Sequence, residues 1–540
     1  MFCNQCEQTA RGIACTTGGV CGKSPDVAAL QDLLIHGVKE LSALAVAARE
    51  LGVVDAEVNR FVCEGLFLTV TNVSFDPERL GESVHRAAEL TAALKDRLAQ
   101  AGGKAPPSKS AAFRPAGDLA AMVEQGQALG PPVAYDPGCD TSSLQLTTLY
   151  GYKGVAAYAY HASLLGEEDD AVYASMQGAL AQLLSEADEQ RWLQLLLECG
   201  KANLLAMELL DRGHTGRYGH PVPTRVPLGP KQGKCILVSG HDLLDLEAVL
   251  QATADKGVDV YTHGEMLPAH GYPRLKAYPH FYGHYGTAWH NQAREFAGFP
   301  GAIIMTTNCI QKPRPAYAGN IFTSGPVGWP GIPHLHGDFS PAVQKALAMP
   351  GFSAAEDRGS VTVGFGHRTV LARAGQVLEA IRAGRLKHIF LVGGCDGARE
   401  SRSYYSSLVS RLPGDALVLT LACGKYRFFD QDLGTIGELP RLLDIGQCND
   451  AFSAVRIAGA LAEALDCGIN DLPLSLVVSW YEQKAVGVLL TLLYLGVRNI
   501  HLGPTLPAFV SPGVLRMLAD EFNLRPITSP EQDLAAMIGG

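Results

Sequence analysis

Between Asp26 and about Arg212, apolar residues return at three- and four-residue steps, the period of a helix with one buried face. Gln31 to Leu51, Val84 to Leu98, Leu144 to Leu165 and Ala171 to Leu210 are the longest such runs, and they predict two helical bundles. Glycine and proline crowd Gly102 to Gly117 and exclude a continuous helix, so the break between the bundles is placed there. A second punctuated stretch, Gly213 to Gly233, carries Pro221, Pro223, Pro227 and Pro230 and reads as a linker.

Beyond it the period changes. Lys234 to Gly240, Val258 to Thr262 and Gly301 to Thr307 are short apolar runs that read as buried parallel strands, and helix-like residues Leu243 to Ala254 follow the first. After a boundary near Pro350 to Gly359 the pattern repeats. One strand runs from His388 into Gly394-Cys395, another from Ala416 into Cys423, another from Leu474 to Tyr481, and a last from Ile500 to Gly503. The expected fold is therefore multidomain α plus α/β. An N-terminal helical domain (1–217) is followed by two Rossmann-like parallel-sheet α/β domains (218–355 and 356–540).

The strands share a second feature. His241 follows the first, His263-Gly-Glu265 the second and Asn308-Cys309 the third; Cys395, Cys423, the helix-opening Cys448 and Glu482 with Lys484 stand at the corresponding places later. In open parallel sheets, ligands bind beyond the carboxyl ends of the strands, where loops diverge and helix N-termini point inward. Any one of these cysteines alone reads as a packed thiol, and the repetition argues that they converge. His263, His270, His280, His284, His290, His334 and His336 are dense but offer no pair at i,i+4 on a convincing helix, so they are read as supporting or surface residues.

Composition narrows the classes. A chain of 540 residues is too long for one core, and 47% hydrophobic with 18% charged residues is the balance of a compact soluble protein. A formal charge of −10 disfavours nucleic acid, whose binding rests on Lys and Arg. No basic-then-apolar leader and no run long enough to span a bilayer is found, which places the chain in the cytoplasm, away from membranes. Thirteen cysteines there point to metal or redox chemistry rather than disulfides. Gly364-Phe-Gly366 lacks the third glycine of a dinucleotide loop, so no nucleotide site is expected and electrons have to come from a separate donor protein.

Cys3, Cys6, Cys15 and Cys21 are spaced C-x2-C-x8-C-x5-C among flexible glycines, and four thiolates so close can wrap a tetrahedral zinc or an iron–sulfur cubane. Zinc modules show paired C-x2-C knuckles, and here only the first pair has that form, which favours iron–sulfur. Cys63, Cys139 and Cys199 are assigned to packing, and Cys235 and Cys467 have no evident role. If the strand ends converge, Cys309, Cys395, Cys423, Cys448, His241, Glu265 and Glu482 are more donors than one zinc needs. Soft thiolates mixed with harder oxygen and nitrogen donors imply a multinuclear cluster with sulfide and oxygen bridges, and an open iron at which a small molecule is reduced. The ordinary alternatives are a solvated Glu482–Lys484 pair and a capping His241.

Taken in order, Cys3-Asn-Gln-Cys6, Gly240-His241-Asp, His263-Gly-Glu265, Asn308-Cys309, Gly394-Cys395-Asp-Gly, Ala422-Cys423-Gly-Lys, Gln447-Cys448-Asn and Trp480-Tyr-Glu482-Gln-Lys484 closely resemble the hybrid-cluster protein family, also called prismane proteins or hydroxylamine reductases. The resemblance spans the chain and implies a helical domain followed by two similar α/β domains. It implies a 4Fe–4S cubane on Cys3, Cys6, Cys15 and Cys21, whose spacing looks like the family's anaerobe-type class; the enterobacterial type spaces them more widely and can carry a 2Fe–2S centre. It further implies a hybrid 4Fe–2O–2S cluster among His241, Glu265, Cys309, Cys395, Cys423, Cys448, Glu482 and Lys484, with Cys395 able to carry a persulfide. The implied reaction is two-electron reduction of hydroxylamine to ammonia and water. Hydroxylamine would bind an open iron, electrons would come through the N-terminal cubane, and Glu482 or Lys484 is the candidate proton donor. Nitric oxide reduction to nitrous oxide and transfer of nitrosyl groups to partner thiols are the alternatives. Carbon monoxide dehydrogenases, which share related α/β architecture and need nickel, are a remote third.

Overall fold

The computed structural model describes residues 1–106 and 113–539. Residues 107–112 of the predicted break between bundles, and Gly540 at the end of the last predicted domain, lie outside the described residues. After a cysteine-bearing loop come α1 (Pro25–Glu50), α2 (Ala56–Leu68), α3 (Pro77–Gln100), α4 (Leu119–Leu129), α5 (Asp140–Leu164), α6 (Asp170–Gln182) and α7 (Glu189–Tyr218). Their starts are set by short polar side chains that satisfy the free amides of the first turn: Ser24 accepts from the Val27 amide ahead of α1, and Asp188 from that of Arg191 ahead of α7. On α1, Leu30, Leu33, Leu34, Val38 and Leu41 are fully buried at helical spacing. Each such side chain contributes about 1.5–3 kcal/mol of transfer free energy.

Three sequence expectations change. The run Ala171 to Leu210 is two helices, because Asp188 caps a new N-terminus and the Ser185 amide turns back onto the Gln182 carbonyl. The two predicted bundles share one apolar core, with α1 packed on α3, α4 and α6 and α2 on α5. The predicted linker also holds structure. Helix α7 continues to Tyr218, and β1 (Thr224–Pro227) forms an edge strand, a position where proline costs no ladder hydrogen bond.

Next come β2 (Lys234–Ser239), β3 (Val258–His263), β4 (Phe281–His284), β5 (Ala302–Met305), β6 (Ile321–Ser324) and β7 (His334–Leu335). They form a parallel sheet in the order β4-β3-β2-β5-β6-β7. The chain continues through β8 (Ser360–Val363), β9 (His388–Gly394), β10 (Ala416–Leu421), a hairpin of β11 (Thr435–Ile436) and β12 (Leu439–Pro440), β13 (Leu442–Gly446), β14 (Leu474–Ser479), β15 (Ile500–Gly503) and β16 (Arg525–Pro526). The second sheet runs β1-β8-β13-β10-β9-β14-β15-β16, parallel except where β1 meets β8. In the first sheet the order grows outward both ways from β2; in the second, later strands add on both sides of β9, with the earlier β8 and β1 lying beyond β13. That reversal opens a crevice at the carboxyl ends, between β2 and β5 in one sheet and between β9 and β14 in the other.

A helix at Gln483–Tyr494 joins the second sheet to the helical part by lying against α5 and α7. The approach is so close that a Cβ on Gly154 would stand 2.5 Å from the Gln483 carbonyl oxygen, and one on Gly200 2.1 Å from that of Leu490. Thr491 Oγ1 donates to the Gly200 carbonyl at 2.9 Å across the same contact. We expect Gly200→Ala to push the helices apart and cost about 1–3 kcal/mol, read as a lower denaturant midpoint.

Burial also holds two histidines neutral. His214 and His270 are both pushed down to about 3, in each case chiefly by loss of water. A histidine depressed in the folded state leaves stability intact above its unfolded value near 6.5, and stability is lost as pH falls from there toward the folded value. Each is expected to cost about 1.4 kcal/mol per pH unit over that window. Denaturant titrations at pH 7 and pH 5 check this, and His214→Gln is expected to flatten the dependence.

Candidate functional site

The N-terminal loop folds back so that Cys3 and Cys15 exchange backbone hydrogen bonds, 3.1 Å and 2.8 Å. Cys3, Cys6, Cys15 and Cys21 all line one small cavity. Burial, then the neighbouring Cys3 and Cys21, pushes the Cys6 thiol well above its ordinary range. The buried Lys23 ammonium reaches Cys3 Sγ at 3.9 Å and is the one cationic side chain among the described residues lining this cavity. All the described cysteines are free thiols. Four thiols around one cavity fit a bound metal centre better than unrelated packing.

The second set of predicted residues gathers between the two sheets. Donor atoms of His241, Glu265 and Cys448 lie within 4.8 Å of one another. Glu265 Oε2 is 3.5 Å from His241 Nε2 and accepts from the Cys448 amide at 2.9 Å. Lys484 Nζ lies 3.1 Å from His241 Nε2, donates to Asn308 Oδ1 at 2.8 Å and is 3.6 Å from Glu482 Oε1. Cys423 shares an apolar cluster with Trp289 and Tyr481, against which Cys309 and Cys395 pack. Glu265, Glu482 and Lys484 all act on the Cys309 thiol, as they do on Cys395. The eight residues predicted at strand ends thus surround one region, where they follow β2, β3, β5, β9, β10, β13 and β14.

Strained turns aim these side chains. Gly240 has φ 115°, and a Cβ there would meet Thr306 Oγ1 at 2.4 Å; the turn lets His241 leave β2 toward the crevice. Gly394, φ 108°, does the same for Cys395, with the Ser479 carbonyl 2.1 Å from where a Cβ would be. Ala422 and Cys309 take left-handed φ of 61° and 79° without glycine's freedom, conformations that cost of order 1–3 kcal/mol and persist only where surroundings enforce them. For Cys309 the enforcement is Asn72, whose carbonyl accepts from both the Cys309 and Ile310 amides while its side chain donates back to the Ile310 carbonyl.

Burial raises Glu265, drives Cys309 and Cys423 well above the thiol range and pushes Cys395 to about 12. It also lowers His241 far below its usual value, with Lys484 adding repulsion. Burial opposes charge on Lys484, yet the surrounding thiols and carboxylates prevail and hold it above the ordinary lysine range. One ammonium cannot balance four thiolates and two carboxylates out of water. The donor set fits a multinuclear cation that is both thiophilic and oxophilic, as iron is.

Several supporting residues were not among the donors that the sequence singled out. Gln447 Nε2 donates to the carbonyls of His241 at 3.2 Å and Glu265 at 2.8 Å, tying the turns after β2 and β3 to the one before Cys448. Arg402, fully buried, holds the Cys395 and Trp480 carbonyls, each at 2.9 Å. Tyr481 stands between the two cysteine sets: its ring lies 4.4 Å from that of Trp289, its carbonyl accepts from the Glu7 amide, and Cys6, Cys21 and Cys309 all act on it. His263, His270 and His284 are buried rather than on the surface. His263 bridges Ser239 and Glu295 at 2.9 Å each, and Thr262 Oγ1 links His270 to His284. Gln447 and Tyr481 stand inside the Gln447-Cys448-Asn and Trp480-Tyr-Glu482 motifs, which did not mark them as supports, and Arg402 stands outside every motif.

Residues 1–535 match the Prismane/CO dehydrogenase family. The chain belongs to that family. It is 58% identical over 542 residues to a hydroxylamine reductase of Syntrophobacter fumaroxidans, with all of both chains covered. A hydroxylamine reductase of Methanocella arvoryzae is 56% identical over 543 residues, again with full coverage of both. Among solved structures, carbon monoxide dehydrogenase IV from Carboxydothermus hydrogenoformans superposes with a TM-score of 0.58 at 16% identity, covering 97% of this chain and 89% of that one. The likeness to this member of the family establishes shared architecture.

Gln447→Ala would leave two turn carbonyls unpaired and free the Cys448 turn to drift. Loss of such a support is expected to lower metal retention at this site about 10–100-fold, measured as iron content after chelator challenge, with the four-cysteine loop unaffected.

Proposed function

We propose that this protein reduces hydroxylamine, NH2OH + 2 e− + 2 H+ → NH3 + H2O, at a mixed iron–sulfur–oxygen centre. The observation that carries this reading is the convergence of His241, Glu265, Cys309, Cys395, Cys423, Cys448 and Glu482 on one region with Lys484 beside them. The relatives' names, at 56–58% identity over full length, support the substrate. On this reading Cys3, Cys6, Cys15 and Cys21 hold a 4Fe–4S cubane, and the strand-end set holds the hybrid 4Fe–2O–2S cluster, with Cys395 as the persulfide candidate. The chain divides into domains 1–217, 218–355 and 356–540. Its electrons come from a separate protein in the cytoplasm; among the described residues, no helix is long and apolar enough to cross a membrane.

When bound, such a cluster supplies electrons and an open iron that polarises the N–O bond. The chain's residues supply the rest. Lys484, held cationic by its anionic neighbours, stays a fixed ammonium that orients an oxygen of the substrate and stabilises charge growing there. Glu482 is anchored at the start of the helix at Gln483–Tyr494, its Oε2 accepting from the Lys484 amide at 2.9 Å, while its Oε1 lies 3.6 Å from Nζ. Of the two candidate donors, Glu482 is therefore the better proton carrier and Lys484 the better fixed charge. Trp289 and Tyr481 keep water away from the thiols.

One observation favours nitric oxide reduction as a second reading. A cavity of about 340 Å3, lined almost entirely by aliphatic side chains such as Leu391, Leu421, Val478 and Leu489, reaches Cys395 and Cys448. A small apolar gas crosses such walls at little desolvation cost. Glu265→Ala and Cys423→Ala, made separately, are expected to abolish hydroxylamine turnover and the paramagnetic signature of the second centre while leaving that of the first. Retention of full turnover and an unchanged spectrum in either variant counts against the assignment. Competing hydroxylamine with nitric oxide on one reduced preparation ranks the substrates.

A further inference from the structure

The reading of the four-cysteine loop as the entry point for electrons leaves open where their donor binds, and the inference below rests on that reading. Ile13 and Val20, each 58% exposed, are the most exposed of the large apolar side chains found outside the core. Both lie in the loop that wraps the four thiols, on either side of Cys15. The other large apolar side chains among the described residues expose less, so among them this loop is the one place where apolar surface is offered directly over a candidate redox centre. Cys3 and Cys21 beneath it are only half-buried.

The charge around the loop is opposite to that of the molecule. The chain as a whole carries −10. Before Asp26, however, the sole acidic residue is Glu7, and it is buried against Arg399 and Arg402. The segment 309–337, which packs against the loop through Lys312 and Trp329 at Gly22, contains no Asp or Glu. Its Lys312 and Arg314 are exposed, as is Arg11 in the loop, and none of the three makes an ion pair among the described residues. Asp26 and Glu124 line the adjoining groove between Gly22 and Trp329, so the cationic rim occupies one flank.

An apolar centre with an unpaired basic rim is the form of a brief electron-transfer encounter: charges steer and orient, and a small apolar contact holds the centres together for the transfer. We propose that Ile13, Val20, Arg11, Lys312 and Arg314 form the docking face for a small, acidic, one-electron carrier protein. The transfer needs no bond made or broken; one electron leaves the carrier and reduces the N-terminal centre, twice per hydroxylamine.

The test uses the anaerobically isolated holoprotein and a chemically reduced, acidic plant-type 2Fe–2S ferredoxin as probe. The second-order rate of electron transfer, followed by stopped flow, and the Kd, from anaerobic calorimetric titration, are read at low and high salt. The parent rate is expected to fall with salt. The variant R11E/K312E/R314E is expected to react with ferredoxin roughly tenfold more slowly or worse. It should still be reduced by dithionite at close to the parent rate, and should transfer electrons faster to a basic c-type cytochrome. A second variant, I13Q/V20Q, keeps the charges and is expected to weaken the Kd while leaving the salt dependence in place. A ferredoxin rate unchanged in the charge-reversed variant, or indifferent to salt in the parent, overturns the docking face. A parent that takes electrons from ferredoxin with the expected salt dependence yet fails to reduce hydroxylamine with dithionite overturns the functional reading and upholds the docking face.

Discussion

The charge brought together at the facing carboxyl ends of two parallel sheets is the constraint on which the rest of the structure depends. Two buried and two half-buried thiols, two carboxylates and an imidazole are gathered there with one ammonium among them. Left alone, such a set minimises its charge: burial makes the thiols and Glu265 keep their protons and makes His241 give its own up. It is stable as a charged set only around a compensating cation. The folded chain therefore keeps a high-energy arrangement whose reward comes from what it binds.

Holding that arrangement requires supports from every part of the chain. Left-handed turns at Gly240, Gly394, Ala422 and Cys309 are kept by Thr306, Asn72 and neighbouring carbonyls. Gln447 ties the turns after β2 and β3 to the Cys448 turn of the other sheet. The helical part contributes too: Gln483 Oε1 accepts from the Thr71 amide at 2.9 Å, and its side-chain amide donates to the Gln5 carbonyl beside Cys6. Through Tyr481 and Gln483 the loop around the first four thiols and the helix start carrying Glu482 and Lys484 are one mechanical unit.

Much of this was legible in advance because it is local. A short apolar run ended by glycine and then by a metal-ligating residue is a pattern within ten positions, and its recurrence along the chain revealed both the sheets and the candidate donors. The C-x2-C-x8-C-x5-C loop was equally local. The edge strand β1 was hidden by its prolines, and the split between α6 and α7 by an apolar periodicity that runs on through the cap at Asp188. His263, His270 and His284 were undervalued because their partners, Glu295, Thr262 and Tyr426, are set by sheet geometry rather than by spacing.

By itself the amino-acid sequence determined the helical and strand periods, the turn chemistry at each strand end and the identity of the donor at each turn, since all of these depend on neighbours a few residues apart. Tertiary structure alone decided that the carboxyl ends of two separate sheets face one another. It alone placed Lys484 within reach of His241, Asn308 and Glu482, and Tyr481 between the two sets of cysteines. Those relations join residues as much as hundreds of positions apart, and nothing in a linear order encodes a distance until the cores that lie between them have packed.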